Sequence, residues 1–592
     1  MSLQAKNRRS FLIQSASMVA AASAVGTGLV ACGGSDATPA QFDYGVASGD
    51  PLATSVILWT HARIPNSNAD VVLTWQVSKT TSFDSIVASG SVTSTAAKDF
   101  TNKVDATGLT AGNVYYYRFL DTTNTSSPVG TTRTLPASSV ASVKFAVFSC
   151  ALYAEGYFNA YDAAAKSGAQ YAIHLGDYIY EYGAGATEFG NSSTPAGRTP
   201  VPATDIVSLA DYRARYAQYR SDPNLQAAHA AMPWITVWDD HEFANNAWMD
   251  GAENHNSTTQ GSWAARKAVA AQAYHEWLPI RTPDVSNLLK IYRRFDFGNI
   301  FTLHMLDTRI EGRTQQYDSY GDADGGLTRY ATALKSGTDA SHPMMSTTQQ
   351  NWLTSGTAAS TATWQILGNQ DIMSRFWFPA NILQDSATVL ADPSNATNMA
   401  KVQADITAYL IAKATLAANG SGALTATQTA LLDTTTNPLL PYNLDSWDGY
   451  PTQREAILQT IKTQGKKLLT LSGDSHNAWF AKVTTLAGEQ VGYEFAGTSV
   501  SSPGFESVGL GALASSLDGT AVATGNANGS GLGLVNDLGY ADTTRRGYLL
   551  MTATNSDVKG EYVYVSTVKS QTYVASVGKT VTVMAAGGVT YA

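Results

Sequence analysis

The sequence predicts an α/β body preceded by a small all-β module. Two observations carry this. From about residue 143 onward, short apolar strands alternate with helical stretches, the pattern of layered α/β architecture. Before that, only β-rich segments separated by turn residues occur.

In chain order, Ser55–Thr60, Val71–Ser78 and Val114–Leu120 read as strands rich in Val, Tyr and Trp, broken by turn signals such as Pro65-Asn66 and Ala111-Gly112. They predict a β-sandwich of fibronectin or immunoglobulin type over residues 41–137. Pro136–Ser142 reads as a linker. Val143–Cys150 is then a buried strand, with a helix expected around Tyr157–Lys166. Tyr171–Leu175 is a second strand ending in Gly176-Asp177, and Trp234–Trp238 a third, ending in Asp239-Asp240-His241-Glu242. Asn299–Leu306, Thr363–Leu367 and Lys467–Leu471 follow the same rule, with helices expected at Leu209–Tyr219, Trp263–Trp277 and Arg454–Thr463. The body is expected to run over 138–592. Two segments lack this order, Ala/Thr-rich 386–443 and Gly/Ser/Ala-rich 506–537, and read as surface insertions, the first placed to reshape a site entrance. Gly547–Lys569 reads as strands with a turn near Asn555–Gly560.

The chain has 592 residues, ample for a sizeable core, and 44% of them are hydrophobic, which excludes a disordered chain. Lys+Arg 38 against Asp+Glu 47 gives −9. An acidic chain without a basic run is a poor nucleic-acid binding module, because phosphates need cationic partners.

Residues 1–40 read as a targeting segment: Lys6, Arg8 and Arg9 precede an Ala-rich apolar run to Val30. Asn7-Arg8-Arg9-Ser10-Phe11-Leu12 resembles the twin-arginine export signal, implying passage through that machinery in the folded state. Leu29-Val30-Ala31-Cys32-Gly33 resembles a lipoprotein cleavage box, with Cys32 lipidated; the alternative is an ordinary secretory signal with a nearby Cys. The expected location is periplasmic or anchored at an outer membrane face by lipid. No later stretch has 18 uncharged apolar residues, so no spanning helix is expected in the mature protein. The cysteines are Cys32 and Cys150, so lipidation of the first leaves the second unpaired, as core or as metal ligand.

The polar residues of interest lie just past strand ends, where open α/β sheets place their sites. They are Cys150, Asp177 with Tyr180, Asp239-Asp240-His241-Glu242 with Asn245, and Asp474 with His476-Asn477. Carboxylates converging there require a cation. Each residue also has a structural reading: Tyr180 as packing, His241 as a buried histidine, Arg309 as a partner of Asp307, Asn477 as a turn residue.

Seven strings beyond Gly45-Val46-Ala47-Ser48-Gly49-Asp50-Pro51 complete the pattern. They are Val147-Phe148-Ser149-Cys150, His174-Leu175-Gly176-Asp177-Tyr178-Ile179-Tyr180-Glu181-Tyr182, Trp238-Asp239-Asp240-His241-Glu242-Phe243, Leu306-Asp307-Thr308-Arg309, Ile366-Leu367-Gly368-Asn369-Gln370, Ser472-Gly473-Asp474-Ser475-His476-Asn477 and Ser499-Val500-Ser501-Ser502-Pro503-Gly504. Together they resemble the PhoD family of alkaline phosphatases, which are metallophosphoesterases. The resemblance implies a four-layer αββα catalytic domain and a binuclear centre of Fe³⁺ and one or two Ca²⁺. Cys150, Asp177, Tyr180 and His476 would serve Fe³⁺, whose preference is for anionic donors such as phenolate and thiolate. Asp177, as the bridge, would join Asp240 and Asp474 around Ca²⁺, with Asn245 a further candidate. His241, Arg309 and Asn477 would contact phosphate or the leaving group. The activity implied is phosphate-ester hydrolysis by a metal-activated oxygen nucleophile. Alternatives are phosphodiesterase or phospholipase D-like action on membrane or cell-wall diesters, and a non-catalytic surface binding lipoprotein.

Overall fold

The computed structural model describes residues 38–185, 194–317, 341–392, 395–522 and 531–592. The targeting segment, with Arg8, Arg9 and Cys32, lies outside the described residues, as does 523–530 of the second expected insertion.

Strands Val143–Phe148, Tyr171–His174 and Trp234–Thr236 pair in parallel, and nearly every residue of them is buried, as expected of strands covered on both faces. They form the middle of a ten-stranded sheet. On one side Arg546–Ala553 pairs antiparallel with Val143–Phe148, followed by Asp557–Val565, Ala575–Met584 and Val589–Tyr591. A second, seven-stranded sheet has Phe301–Met305, Trp364–Gly368 and Lys467–Ser472 as parallel neighbours. One core joins the sheets: Val147, Ile173 and Ile235 of the first cluster with Leu303, Ile366 and Leu469 of the second. Helices Asn159–Ala165, Leu209–Arg220 and Trp263–Trp277 pack outside the first sheet, and Pro451–Thr463 supplies Ile457, Leu458 and Ile461 to a separate core outside the second. These are the four expected layers.

The N-terminal module is a sandwich with a core of Val56, Leu58, Leu73, Val77, Tyr117 and Phe119. Part of it is continuous with the sheet of the body. Val46–Gly49, Ser55–His61 and Thr101–Thr107 continue the ten-stranded sheet, because Val46–Gly49 runs parallel to Trp234–Thr236, with Gly49 opposite Trp234. Only Val71–Ser78, Ile86–Ser94, Val114–Leu120 and Gly130–Arg133 form a sheet of their own. The seam is fastened by Asp50, fully buried at φ 40°, which accepts two bonds from the Arg293 guanidinium (2.7 and 2.9 Å) and one from the Arg281 N–H (2.7 Å). Pro39–Ala592 is accordingly one compact unit.

The two expected insertions are also not independent. Helices Ala380–Ala391 and Ala396–Asn419 share a core with Leu510, Leu513, Leu517 and Leu534 of the second segment, making one cap. Among the described residues, no helix is long and apolar enough to cross a membrane.

Candidate metal centre

The C-terminal ends of the parallel strands of both sheets converge, and the loops that follow carry the site. Four of its residues hold left-handed backbone: Cys150 at φ 60°, Asp177 at 56°, Asp474 at 54° and His476 at 60°. Such conformations cost about 1–3 kcal/mol each and persist only where surroundings enforce them. Gly176 beside them has φ 110°, and a Cβ there would lie 2.3 Å from the Asp239 Cβ, so the approach of the two loops requires glycine.

Donor atoms of Cys150, Asp177 and His476 all lie within 4.8 Å of one another. The Tyr180 hydroxyl stands in the same place, 2.9 Å from Asp177 Oδ2 and 3.1 Å from His476 Nε2, and it accepts from Ser502 Oγ at 2.8 Å. The other His476 nitrogen, Nδ1, faces the Pro503 carbonyl at 2.7 Å, which fixes the ring. Asp177 also belongs to a second group with Asp240 and His241, and Asp239, Asp240 and Asp474 make a third, each within the same 4.8 Å.

His241 is held by Glu181, whose Oε2 lies 2.7 Å from Nδ1, while Oε1 accepts from the Asn245 N–H at 2.7 Å and from Asn254 at 2.9 Å. Glu242 ties the first two loops together, accepting from the backbone N–H groups of Asp177 (3.0 Å), Tyr178 (2.5 Å), Ile179 (3.3 Å) and Asp239 (2.6 Å). Glu242 stands in the strand-end set read from sequence without a role of its own, and Glu181 was not singled out, although it lies inside a quoted string. Ser502 is likewise in a quoted string, but only its contacts with Tyr180 and with the Cys150 carbonyl (2.9 Å) reveal its part.

Three further residues with expected roles have the following contacts. Arg309 is fully buried, and its nitrogens face Asp239 (2.5 Å), Asp371 (3.0 Å), Asp445 (2.6 Å) and Asp474 (2.8 Å), where it is the counter-charge of these carboxylates. Arg313 shares Asp371 and Asp445 with it. Asn477 is buried and has the turn role: its Oδ1 accepts from the Phe505 N–H at 3.1 Å and its amide donates to the Ser475 carbonyl. Asn245 directs its amide nitrogen to Glu253 at 3.3 Å, with no side-chain hydrogen bond to Asp177, Asp240 or Asp474.

Burial dominates the electrostatics. It pushes the Asp177 carboxyl far above its usual range, with His241 opposing, and does the same to the Cys150 thiol, where Asp177 adds to the effect. Asp474 is pushed up to about 8 by burial against the pull of Arg309, and burial pushes His476 down to about 3. Burial would lower His241 too, but Asp240, Glu181 and Asp177 outweigh it and raise it to about 10. The protein alone therefore disfavours the negative charges that Asp177, Cys150 and Asp474 carry as ligands and favours the neutral imidazole that His476 needs. Asp177 Oδ1, Asp239 Oδ2 and Asp240 Oδ1 are buried without a hydrogen-bond partner. Unpartnered carboxylate oxygens facing a thiol, a phenol and an imidazole fit bound cations.

A two-sheet α/β body with metal-binding groups at facing strand ends is the architecture of a metal-dependent hydrolase. The model of the PhoD-like phosphatase family matches residues 145–562, and that of the PhoD-like phosphatase N-terminal domain matches 28–136. The chain is 33% identical to alkaline phosphatase D of Bacillus subtilis strain 168 over 480 residues, 78% of this chain and 70% of that one. A solved structure of PhoD superimposes with a TM-score of 0.69 at 29% identity, covering 94% of this chain and 92% of the other. The chain belongs to the PhoD-like phosphatase family. It is an enzyme, which removes the non-catalytic alternative.

Proposed function

We propose that the protein is an alkaline phosphatase acting on phosphate monoesters, and on diesters that present the same phosphoryl group. In the reaction, water adds to phosphorus, the P–O bond to the alcohol breaks, and the alcohol leaves with a proton. The observation that carries this reading is Asp177, which stands in two donor groups at once and keeps one buried oxygen without a partner. Cys150, Asp177, Tyr180 and His476 would hold Fe³⁺, since the anionic thiolate and phenolate offset the charge of a trivalent ion. Asp177, Asp240 and Asp474 would hold one or two Ca²⁺ through oxygen, and Asp239 joins that set by position. When bound, such cations orient the phosphoryl group and acidify the attacking water.

The chain's own residues supply the rest. His241, oriented by Glu181 and charged at neutral pH, donates a proton to the departing oxygen. Arg309 keeps Asp239 and Asp474 apart and correctly aimed. Ser502 and Pro503 fix Tyr180 and His476. The test is elemental analysis of purified protein together with rates on an aryl monoester, an aryl diester and a phospholipid. A protein with neither iron nor calcium and no ester hydrolysis overturns the reading.

Export by the twin-arginine route, with lipid on Cys32, belongs to the same proposal and rests on the first 33 residues of sequence. Retention of an Arg8→Lys/Arg9→Lys double variant in the cytoplasm supports it; unaltered export refutes it.

A further inference from the structure

Among the described residues, the centre is partly accessible at Asp474. Most of its side chains are at most a few per cent exposed, whereas Asp474 is 20% exposed and the neighbouring Ser475 is half-buried. An aromatic row leads outward from that point. Ser475 Oγ accepts from the Trp479 indole N–H at 2.8 Å. Trp479 meets Phe505 edge-on with ring centroids 5.7 Å apart and an interplanar angle of 65°. Phe505 meets Tyr442 in the same way at 5.5 Å and 64°.

The row is fastened to the centre at both ends. Phe505 donates its N–H to Asn477, next to His476. Tyr442 lies three residues before Asp445, which ion-pairs with Arg309 at 2.6 Å. Trp479 is 2% exposed and belongs to the cap core, while Tyr442 and Phe505 pack against that core and stay half-buried. Two half-buried aromatic residues, contributed by two separate chain segments, thus stand in a row that is tied to the Ser475 edge of the centre. Rings in that position offer an apolar, polarisable wall to whatever is attached to the phosphoryl group.

We infer that Tyr442 and Phe505 form the binding surface for the alcohol portion of the substrate, and that the preferred substrates are phosphate esters of aromatic or other planar apolar alcohols. This rests on the phosphatase reading above. Apolar contacts of this kind discriminate by about ten- to two-hundredfold.

The experiment compares kcat/KM for a naphthyl phosphate with that for glycerol 2-phosphate, using metal-loaded protein. Affinity for phenylphosphonate against methylphosphonate, measured by calorimetry, gives a second readout without turnover. Tyr442→Ala and Phe505→Ala are each expected to lower both ratios about tenfold, chiefly through KM. Phe505→Leu and Tyr442→Phe, which keep most of the packing, are expected to lie between. Ile411→Ser, at an exposed position of the cap, is expected to leave both ratios unchanged. Hydrolysis by the wild type with ratios unmoved in both alanine variants overturns this inference alone. Failure of the wild type to hydrolyse either ester overturns the phosphatase reading, and this inference with it.

Discussion

His241 Nδ1 lies 2.7 Å from Glu181 Oε2, with both side chains almost wholly withdrawn from solvent. A buried imidazole–carboxylate pair sets ring orientation and stabilises the charged ring at once. Burial works against ionisation of Glu181, yet His241 and the surrounding donors bring it down to about 2.

Glu181→Gln is therefore expected to lower kcat about a hundredfold, the scale of a well-placed proton donor, and to lower the melting temperature, because a buried ion pair loses one of its charges. Removing the Glu181 charge also lowers the His241 pKa. Activity that needs protonated His241 is lost as pH rises through that value, so the alkaline limb should move to lower pH. A pH–rate profile with an unmoved limb would show that His241 is not the donor.

Asp177→Asn removes charge from two donor groups together. Metal content should drop and turnover should fall by more than the roughly 10–100-fold that loss of an outer partner of a metal ligand costs. Elemental analysis of the variant with wild-type metal and wild-type rate would contradict a shared ligand.

Arg309→Met leaves Asp239 and Asp474 without their cation, and Asp371 and Asp445 with Arg313 alone. In metal-stripped protein the expected cost is about 3–5 kcal/mol, read from urea unfolding. Arg309→Lys should not restore it, because one ammonium cannot span the directions of a guanidinium. Equal stability of wild type and Arg309→Met would remove the counter-charge role.

Burial pushes His61, His174 and His275 down to about 3, and His304 to about 4. In the unfolded chain each titrates near 6.5. Between those values the unfolded state binds more protons, so the stability is fully present above pH 6.5. It declines as pH falls toward 3, by about 1.4 kcal/mol per histidine per pH unit. Chemical denaturation at pH 7.5 and 5 measures this. His61→Phe, which keeps the ring stacked on Trp277 at 5.6 Å, should make the decline shallower. A midpoint that holds or rises on acidification would refute the account.

The strand ends were legible because apolar runs of Val, Ile and Leu stop abruptly at Asp, Cys or His. That exposed Cys150, Asp177, Tyr180, Asp240, His241, Asp474 and His476, which the fold does bring together. What stayed hidden depends on partners far along the chain. Arg309 sits two residues from Asp307, but its guanidinium faces Asp445, 136 positions away. The Ala478–Thr484 and Gln490–Ala496 strands were not identified, since their pairing within the second sheet is a tertiary choice. Helical stretches were legible in the first insertion, but nothing in either segment signalled that their apolar faces would meet each other.

The continuity of the first sheet across Gly49 and Trp234 has a consequence for dissecting this enzyme. Truncation before residue 138 would strip the neighbour from Trp234–Thr236, the strand that leads into Asp239 and Asp240, and expose a bare hydrogen-bonding rim. It would also release Arg293, which holds the Thr236 carbonyl at 2.6 Å as well as Asp50. Such a fragment would be prone to stick to itself, and its catalytic loop would lose its foundation, so the leading β-module is a buttress of the strand behind that loop rather than a removable appendage.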